Sequence, residues 1–114
     1  MTTTEPLTWA DFEKVDIRIG TVIAADPFPQ ARKPAYKLTI DFGTLGTKRT
    51  SAQLTSLYQP DELIGKQVVA VVNFPPKQIA SFRSECLILG AVGDDGTVTL
   101  LQTERLTVNG LRIG

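Results

Sequence analysis

The side chains able to do chemistry in this 114-residue chain are cations, amides and hydroxyls rather than paired acids, bases and nucleophiles. There is no histidine, so the commonest general base and the commonest metal ligand are both missing. One cysteine, Cys86, cannot supply the donor set of a zinc site. Asp61-Glu62 and Asp94-Asp95 sit beside turn residues and read as solvated turns. No nucleophile lies beside a base, so neither enzymatic activity nor a metal or cofactor is expected. Charge is what remains. Twelve Lys and Arg balance twelve Asp and Glu, but residues 1–26 carry −3, residues 27–84 carry +5 and residues 85–114 carry −2. The central cations are Arg32, Lys33, Lys37, Lys48, Arg49, Lys66, Lys77 and Arg83, against Asp41, Asp61 and Glu62. A basic centre between acidic ends presents a local positive field without making the chain basic. The plainer alternative is a set of solvated strand edges guarded by lysine.

Polar and aromatic side chains interleave with these cations. Asn73, Ser51, Gln53 and Ser84 are of the types that hydrogen-bond base edges or ribose hydroxyls. Phe28, Phe74 and Phe82 either stack on unpaired bases or plug the core beneath their loops. Pro75 and Pro76 stiffen the stretch NFPPKQIASFRSECLILG, Asn73 to Gly90, so that less entropy is lost when it binds something. That stretch holds Lys77 and Arg83 and is longer than a chain reversal requires.

The elements that must position these residues follow from periodicity. PLTWADFEKV reads as a short helix with Thr8 as N-cap and with Trp9 and Phe12 on one face. VDIRIGTVIAA alternates as a half-buried strand, Val15, Ile17, Ile19, Ile23 and Ala25 on one side, with Val22 out of phase and Gly20 marking a bend or bulge. DPFPQARKP is a loop, YKLTIDF a cleanly alternating strand, and KRTSAQL a polar third strand. LTSLYQPDELIG has helical spacing, with Pro60 suited to a first turn and Gly65 to a C-terminal cap. QVVAVVNF and CLILGAV are continuous apolar strands, and TVTLL forms a hairpin with the second of them across GDDG.

Three strands, a short helix and two more strands are the order of an OB-fold. The expected class is therefore all-β, a five-stranded barrel with a short N-terminal helix, a short helix between strands 3 and 4, and a C-terminal extension. One domain spans 1–114: helix in 1–14, barrel in 15–93, and a hairpin strand with a dimerisation tail in 94–114. OB-folds take ligands on the face of strands 2 and 3 between two flanking loops. On this chain those places hold Arg32 and Lys33, then Lys37, Lys48, Arg49, Ser51 and Gln53, then Asn73, Lys77, Arg83 and Ser84. An RNA-binding surface is the expectation, its affinity carried by phosphate neutralisation. No apolar run approaches the roughly 20 residues of a membrane span. A start without a basic or apolar leader, together with the single cysteine, points to the reducing cytoplasm.

FEKVDIRIGTV, PFPQARKPAYKLTIDFG, TSAQLTSLY, ELIGKQVVAVVNFPPKQIASFRSECLILG and NGLRIG together resemble the CsaA family, small chaperone-like members of a wider tRNA-binding group. The likeness runs from about Phe12 to the C-terminus. It implies an OB-fold homodimer that binds tRNA and assists export of unfolded proteins. Trp9, Phe12, Leu106, Val108, Leu111 and Ile113 exceed what five strands must bury, and a two-fold interface would cover them; packing on their own barrel is the alternative. Three places depart from the wider group: Ser51-Ala52 for Ser-Gly, Asn73-Phe74-Pro75-Pro76 for Asn-Leu-Lys-Pro, and Ser84-Glu85-Cys86-Leu87 for a serine followed by Gly-Met. The last two should weaken anion binding. They leave room for a second ligand, extended segments of unfolded protein or preprotein, held near Phe28, Phe74 and Phe82.

Overall fold

The computed structural model describes residues 5–114, so the first four residues of the expected helical segment lie outside it. Helix α1, Trp9–Glu13, begins where the Thr8 hydroxyl accepts the Asp11 N–H at 3.1 Å, a working N-cap. Strands β1 (Ile17–Pro27), β2 (Tyr36–Asp41) and β3 (Thr47–Ala52) follow, then the one-turn helix α2 (Pro60–Leu63) and β4 (Gln67–Val71). Five short strands complete the chain: β5 (Lys77–Ile79), β6 (Phe82–Ser84), β7 (Leu87–Ile88), β8 (Gly90–Val92) and β9 (Val98–Leu100). The main sheet has the order β3-β2-β1-β4-β7, all antiparallel, and curls into the nearly closed barrel expected of an OB-fold.

Residue type explains the local choices, including those that depart from simple periodicity. In β2, Tyr36, Leu38 and Ile40 are buried and alternate with half-buried Lys37, Thr39 and Asp41. Strand β1 does not keep one phase. The register with β2 slips between Val22 and Ala24, so Val22 is buried and Ile23 is exposed, the reverse of strict alternation. Gly20 is not the bulge. A Cβ there would lie 2.5 Å from Ile40 Cγ2 and 2.7 Å from Phe42 Cδ1, so glycine makes room for the core. The helical spacing of Leu54, Leu57 and Tyr58 produces a turn, and α2 starts only at Pro60, with Gln59 and Glu62 forming a reciprocal capping box.

The core groups Val22, Leu38, Ile40, Phe42, Leu54, Leu63, Val68, Ala70 and Leu100. Every residue of β4 is buried, as its unbroken apolar run implies. Gln67, the polar member, has all four hydrogen-bonding positions filled. Its Nε2 donates to the Thr107 carbonyl and to Asn109 Oδ1, and its Oε1 accepts from the Thr103 hydroxyl and the Thr107 N–H.

The two stretches after β4 differ from expectation. The segment from Lys77 to Ser84 forms the β5–β6 hairpin instead of a plain loop, and CLILGAV breaks into β7 and β8. Gly90 permits the break, because a Cβ there would sit 2.5 Å from Val98 Cγ1 and keep β8 off β9. The tail runs along the first half of β1. Ile19 N–H donates to the Leu111 carbonyl, Gly110 N–H to the Ile19 carbonyl and Ile113 N–H to the Ile17 carbonyl. Asn109 locks it there, its Oδ1 accepting from the Thr21 hydroxyl at 2.8 Å and from Gln67 Nε2 at 3.0 Å.

Two substitutions test this packing. Gly20→Ala is expected to lose about 1–3 kcal/mol in chemical denaturation, the usual effect of overpacking. Asn109→Ala leaves Thr21 and Gln67 short of partners and is expected to lose a similar amount, about 1–3 kcal/mol, with faster amide exchange from Gly110 to Ile113.

Candidate nucleic-acid interface

The β1–β2 loop, the outer face of β3 and the β5–β6 hairpin meet at one cleft of about 530 Å³. Its lining brings together Arg32 and Lys33 from the first, Ser51 from the second with Gln53 just past its end, and Lys77 from the third, with Gln30 and Gln78 between them. Register decides which side chains face this way. Lys37 lies opposite Ser51 and Thr39 opposite Arg49, so these four share one face of the sheet while Leu38, Thr50 and Ala52 point into the barrel. Lys48 falls on the side of Thr50 and Ala52, where its charge reaches the Cys86 thiol, and it does not join Arg49. Arg83 alternates with Phe82 and Ser84 and projects from the opposite side of the hairpin to theirs.

Four residues read as ligand contacts from sequence are occupied inside the protein. Phe28 and Phe82 are each only 4% exposed and pack together at 5.3 Å between ring centroids, so neither is free to stack on a base or grip a peptide. They form, with Ala35, a second small core under the two loops. Burial wins because both loops need an apolar anchor where they leave the barrel. Phe74, 54% exposed, is the one ring of the three that is accessible. The Asn73 side chain accepts the Asp16 N–H and donates to the Lys14 carbonyl, bracing the entry to β1. Ser84 Oγ accepts the Ser51 N–H at 3.1 Å and stitches β6 to β3.

A second opening, about 530 Å³, lies where β3 and β7 diverge. Leu54, Leu87, Ile88, Val92 and Val98 wall it, and Lys33 and Gln53 stand at its rim. Trp9, 81% exposed, and Leu106, 82% exposed, stand out on the surface, as do the exposed Val108 and Leu111. Phe12 and Ile113 are half-buried. Sequence reasoning passed over Gln30 and Gln78, and read Glu85 as a carboxylate that weakens anion binding. Those two were visible as amides inside the loops; Glu85 acts instead through a backbone contact that only the fold creates.

A barrel of this order with a cationic cleft on its β3 face has relatives. The family model described as "Putative tRNA binding domain" matches residues 17–112. The chain belongs to that tRNA-binding domain family. Its fold superposes on the chaperone CsaA of Bacillus anthracis str. Ames with a TM-score of 0.92 at 52% identity, covering 96% of this chain and 100% of that one. CsaA of Picrophilus torridus gives a TM-score of 0.87 at 50% identity, again with 96% and 100% covered. The resemblance to CsaA-type proteins seen in the sequence therefore extends to the whole fold. The methionine–tRNA ligase of Methanococcoides burtonii is 36% identical over 101 residues, 89% of this chain. The chain spans only 15% of that ligase's length.

Closure of this tRNA-binding domain rests on the seam between β3 and the segment Ser84–Cys86. Glu85 N–H donates to the Arg49 carbonyl at 2.7 Å, the Glu85 carboxylate accepts the Arg49 N–H at 2.9 Å, and the Thr50 hydroxyl donates to the Cys86 carbonyl at 2.6 Å. The departure at Glu85 thus places its carboxylate on backbone, not on a guanidinium. Among the described residues no three His, Cys, Asp or Glu side chains gather as a metal would require. Burial pushes the Cys86 thiol up from 9.0 to about 11, only partly offset by Thr50 and Lys48. At neutral pH the thiol is therefore protonated and shielded. Disulfide-exchange reagents are expected to label Cys86 in native protein only as fast as it opens, and at the rate of a free thiol once denaturant is added. Above about pH 9, where the unfolded thiol ionises and the folded one does not, stability is expected to fall.

Proposed function

We propose that this protein binds tRNA without acting on it chemically, holding the phosphate backbone in the cleft between the β1–β2 loop, β3 and the β5–β6 hairpin. One observation carries this. Of the twelve Lys and Arg, the four outside residues 27–84, namely Lys14, Arg18, Arg105 and Arg112, each have a carboxylate within ion-pair distance. Among the described residues none of the eight inside that span does. Of these eight, Arg32, Lys33 and Lys77 line the cleft and Lys37 and Arg49 share the sheet face beside it. Cations left without internal partners hold counterions in solution, and a polyanion that displaces them gains their release. The amides of Gln30, Gln53 and Gln78 supply donors and acceptors for ribose hydroxyls or unstacked base edges along the same path. Shape and charge of this kind suit RNA in the cytoplasm.

Lys33→Ala and Lys77→Ala are expected to weaken binding of bulk tRNA and to flatten its dependence on salt, by roughly 0.7–0.9 in log–log slope for each phosphate no longer neutralised. Titration by fluorescence anisotropy across a salt series measures both. Binding that ignored salt and both substitutions would overturn the assignment.

Extended apolar segments of unfolded protein or preprotein are a second ligand class, favoured by the Leu87–Val92 opening and not by Phe28 or Phe82. Such a holdase would also serve protein export. Leu87→Ser is expected to reduce suppression of client aggregation while leaving tRNA affinity unchanged. A homodimer accounts for the exposed Trp9, Leu106, Val108 and Leu111, with Phe12 and Ile113 at its margin. Light scattering should give twice the 12.4 kDa chain mass, and Trp9→Ser with Leu106→Ser should halve it.

A further inference from the structure

The small core of Phe28 and Phe82 has cations seated on it. Lys37 Nζ stands 5.3 Å from the centroid of the Phe28 ring and 5.9 Å from that of Phe82. Arg49 Cζ stands over Phe82 at 4.4 Å. Lys37 and Arg49 are diagonal neighbours on adjacent strands and share one face of the sheet. Two like charges side by side repel, and among the described residues no carboxylate lies within ion-pair distance of either; Asp26, directly opposite Lys37 in the β1–β2 register, stays beyond it. The nearest acid in the seam, Glu85, directs its carboxylate to the Arg49 backbone N–H, and its own N–H holds the Arg49 carbonyl. The Arg49 backbone is thus fixed on both sides, and the electron-rich ring faces take the place that an acid would otherwise fill.

A carboxylate partner would neutralise the cations and compete with an incoming phosphate. An aromatic face attracts a cation without cancelling its charge, and it limits the rotamers that long side chains lose on binding. We propose that Phe28 and Phe82 are positioning residues, whose rings never touch the nucleic acid but hold Lys37 and Arg49 as a pre-formed clamp for its backbone phosphates. This rests on the RNA-binding function proposed above and assigns the buried rings a part in it. It also separates two tasks on the surface. Arg32, Lys33 and Lys77 line the cleft, and the ring-seated pair beside it sets where the backbone lies.

The test replaces Phe82 in the full chain with mono-, di- and trifluorinated phenylalanine, which keep the ring's shape and burial while draining its face of electron density. Affinity for bulk tRNA is expected to fall stepwise with fluorine content, to roughly 2- to 5-fold weaker at the highest substitution, the share of a partly exposed cation–π contact. The salt slope should stay unchanged, because both charges remain, and thermal melts should confirm the fold. Lys37→Ala with Arg49→Ala should weaken binding further and lower the slope. Affinity indifferent to fluorination, or unaffected by the double substitution while Lys33→Ala and Lys77→Ala weaken it, would overturn the clamp and leave the RNA-binding function standing. A parent protein that binds no tRNA at low salt would remove both.

Discussion

The barrel depends on a seam that regular strand pairing does not make. Between β3 and the segment Ser84–Cys86, one backbone hydrogen bond is joined by four that use side chains, from Thr50, Ser84 and Glu85. The β5–β6 hairpin diverts the chain just before the seam, so the fifth strand arrives too briefly to pair along the length of β3. Each backbone group stranded at such a place would cost about 1–3 kcal/mol. Hydroxyls and a carboxylate offset that cost and leave the hairpin free to stand over the outer face of β3. Where the seam ends, β3 and β7 part and the apolar opening begins.

The same seam organises the charge. It commits Glu85 to the Arg49 backbone, so that carboxylate does not neutralise the Arg49 guanidinium. It brings Phe82 beneath Arg49 and against Phe28, which ties the two loops flanking the cleft into a single small core. Loops anchored in this way lose little entropy when a ligand settles between them. The turn of the hairpin carries a modest strain: Ala80 has φ 51°, a left-handed conformation that costs a non-glycine residue about 1 kcal/mol. That strain is held by the packing of Ile79 and Phe82 on either side.

Much of the architecture was legible in the residues. The alternation of β2, the unbroken run of β4, the polarity of β3 and the Thr8 cap each state a local preference that the structure keeps. What misled was periodicity read across a hidden irregularity. Ile23 and Val22 exchanged places because a bulge adds one residue to β1, and nothing in the apolar pattern marks where it falls. CLILGAV looked like one strand because hydrophobicity does not distinguish residues pairing with β4 from residues pairing with β9. In the site, Arg32, Lys33, Ser51, Gln53 and Lys77 gather as the loop order implies. Asn73 and Ser84 were read by type and loop position, and Phe28 and Phe82 could stack or plug the core; a type that can bind a nucleotide can equally satisfy a neighbouring strand.

Residue order by itself determined that a basic centre would be carried on a strand face and two flanking loops, and that no acid–base pair would accompany it. Those properties belong to composition and to short-range periodicity, which survive without knowledge of partners. Tertiary structure decided which cations point together and which aromatic rings lie beneath them. It also decided that, among the described residues, the central cations have no carboxylate within ion-pair distance while the cations at both ends do. Such outcomes depend on register and on contacts between residues far apart in the chain, such as Arg49 with Glu85 and Phe28 with Phe82. A one-residue shift in either strand would reverse the facing of every side chain involved.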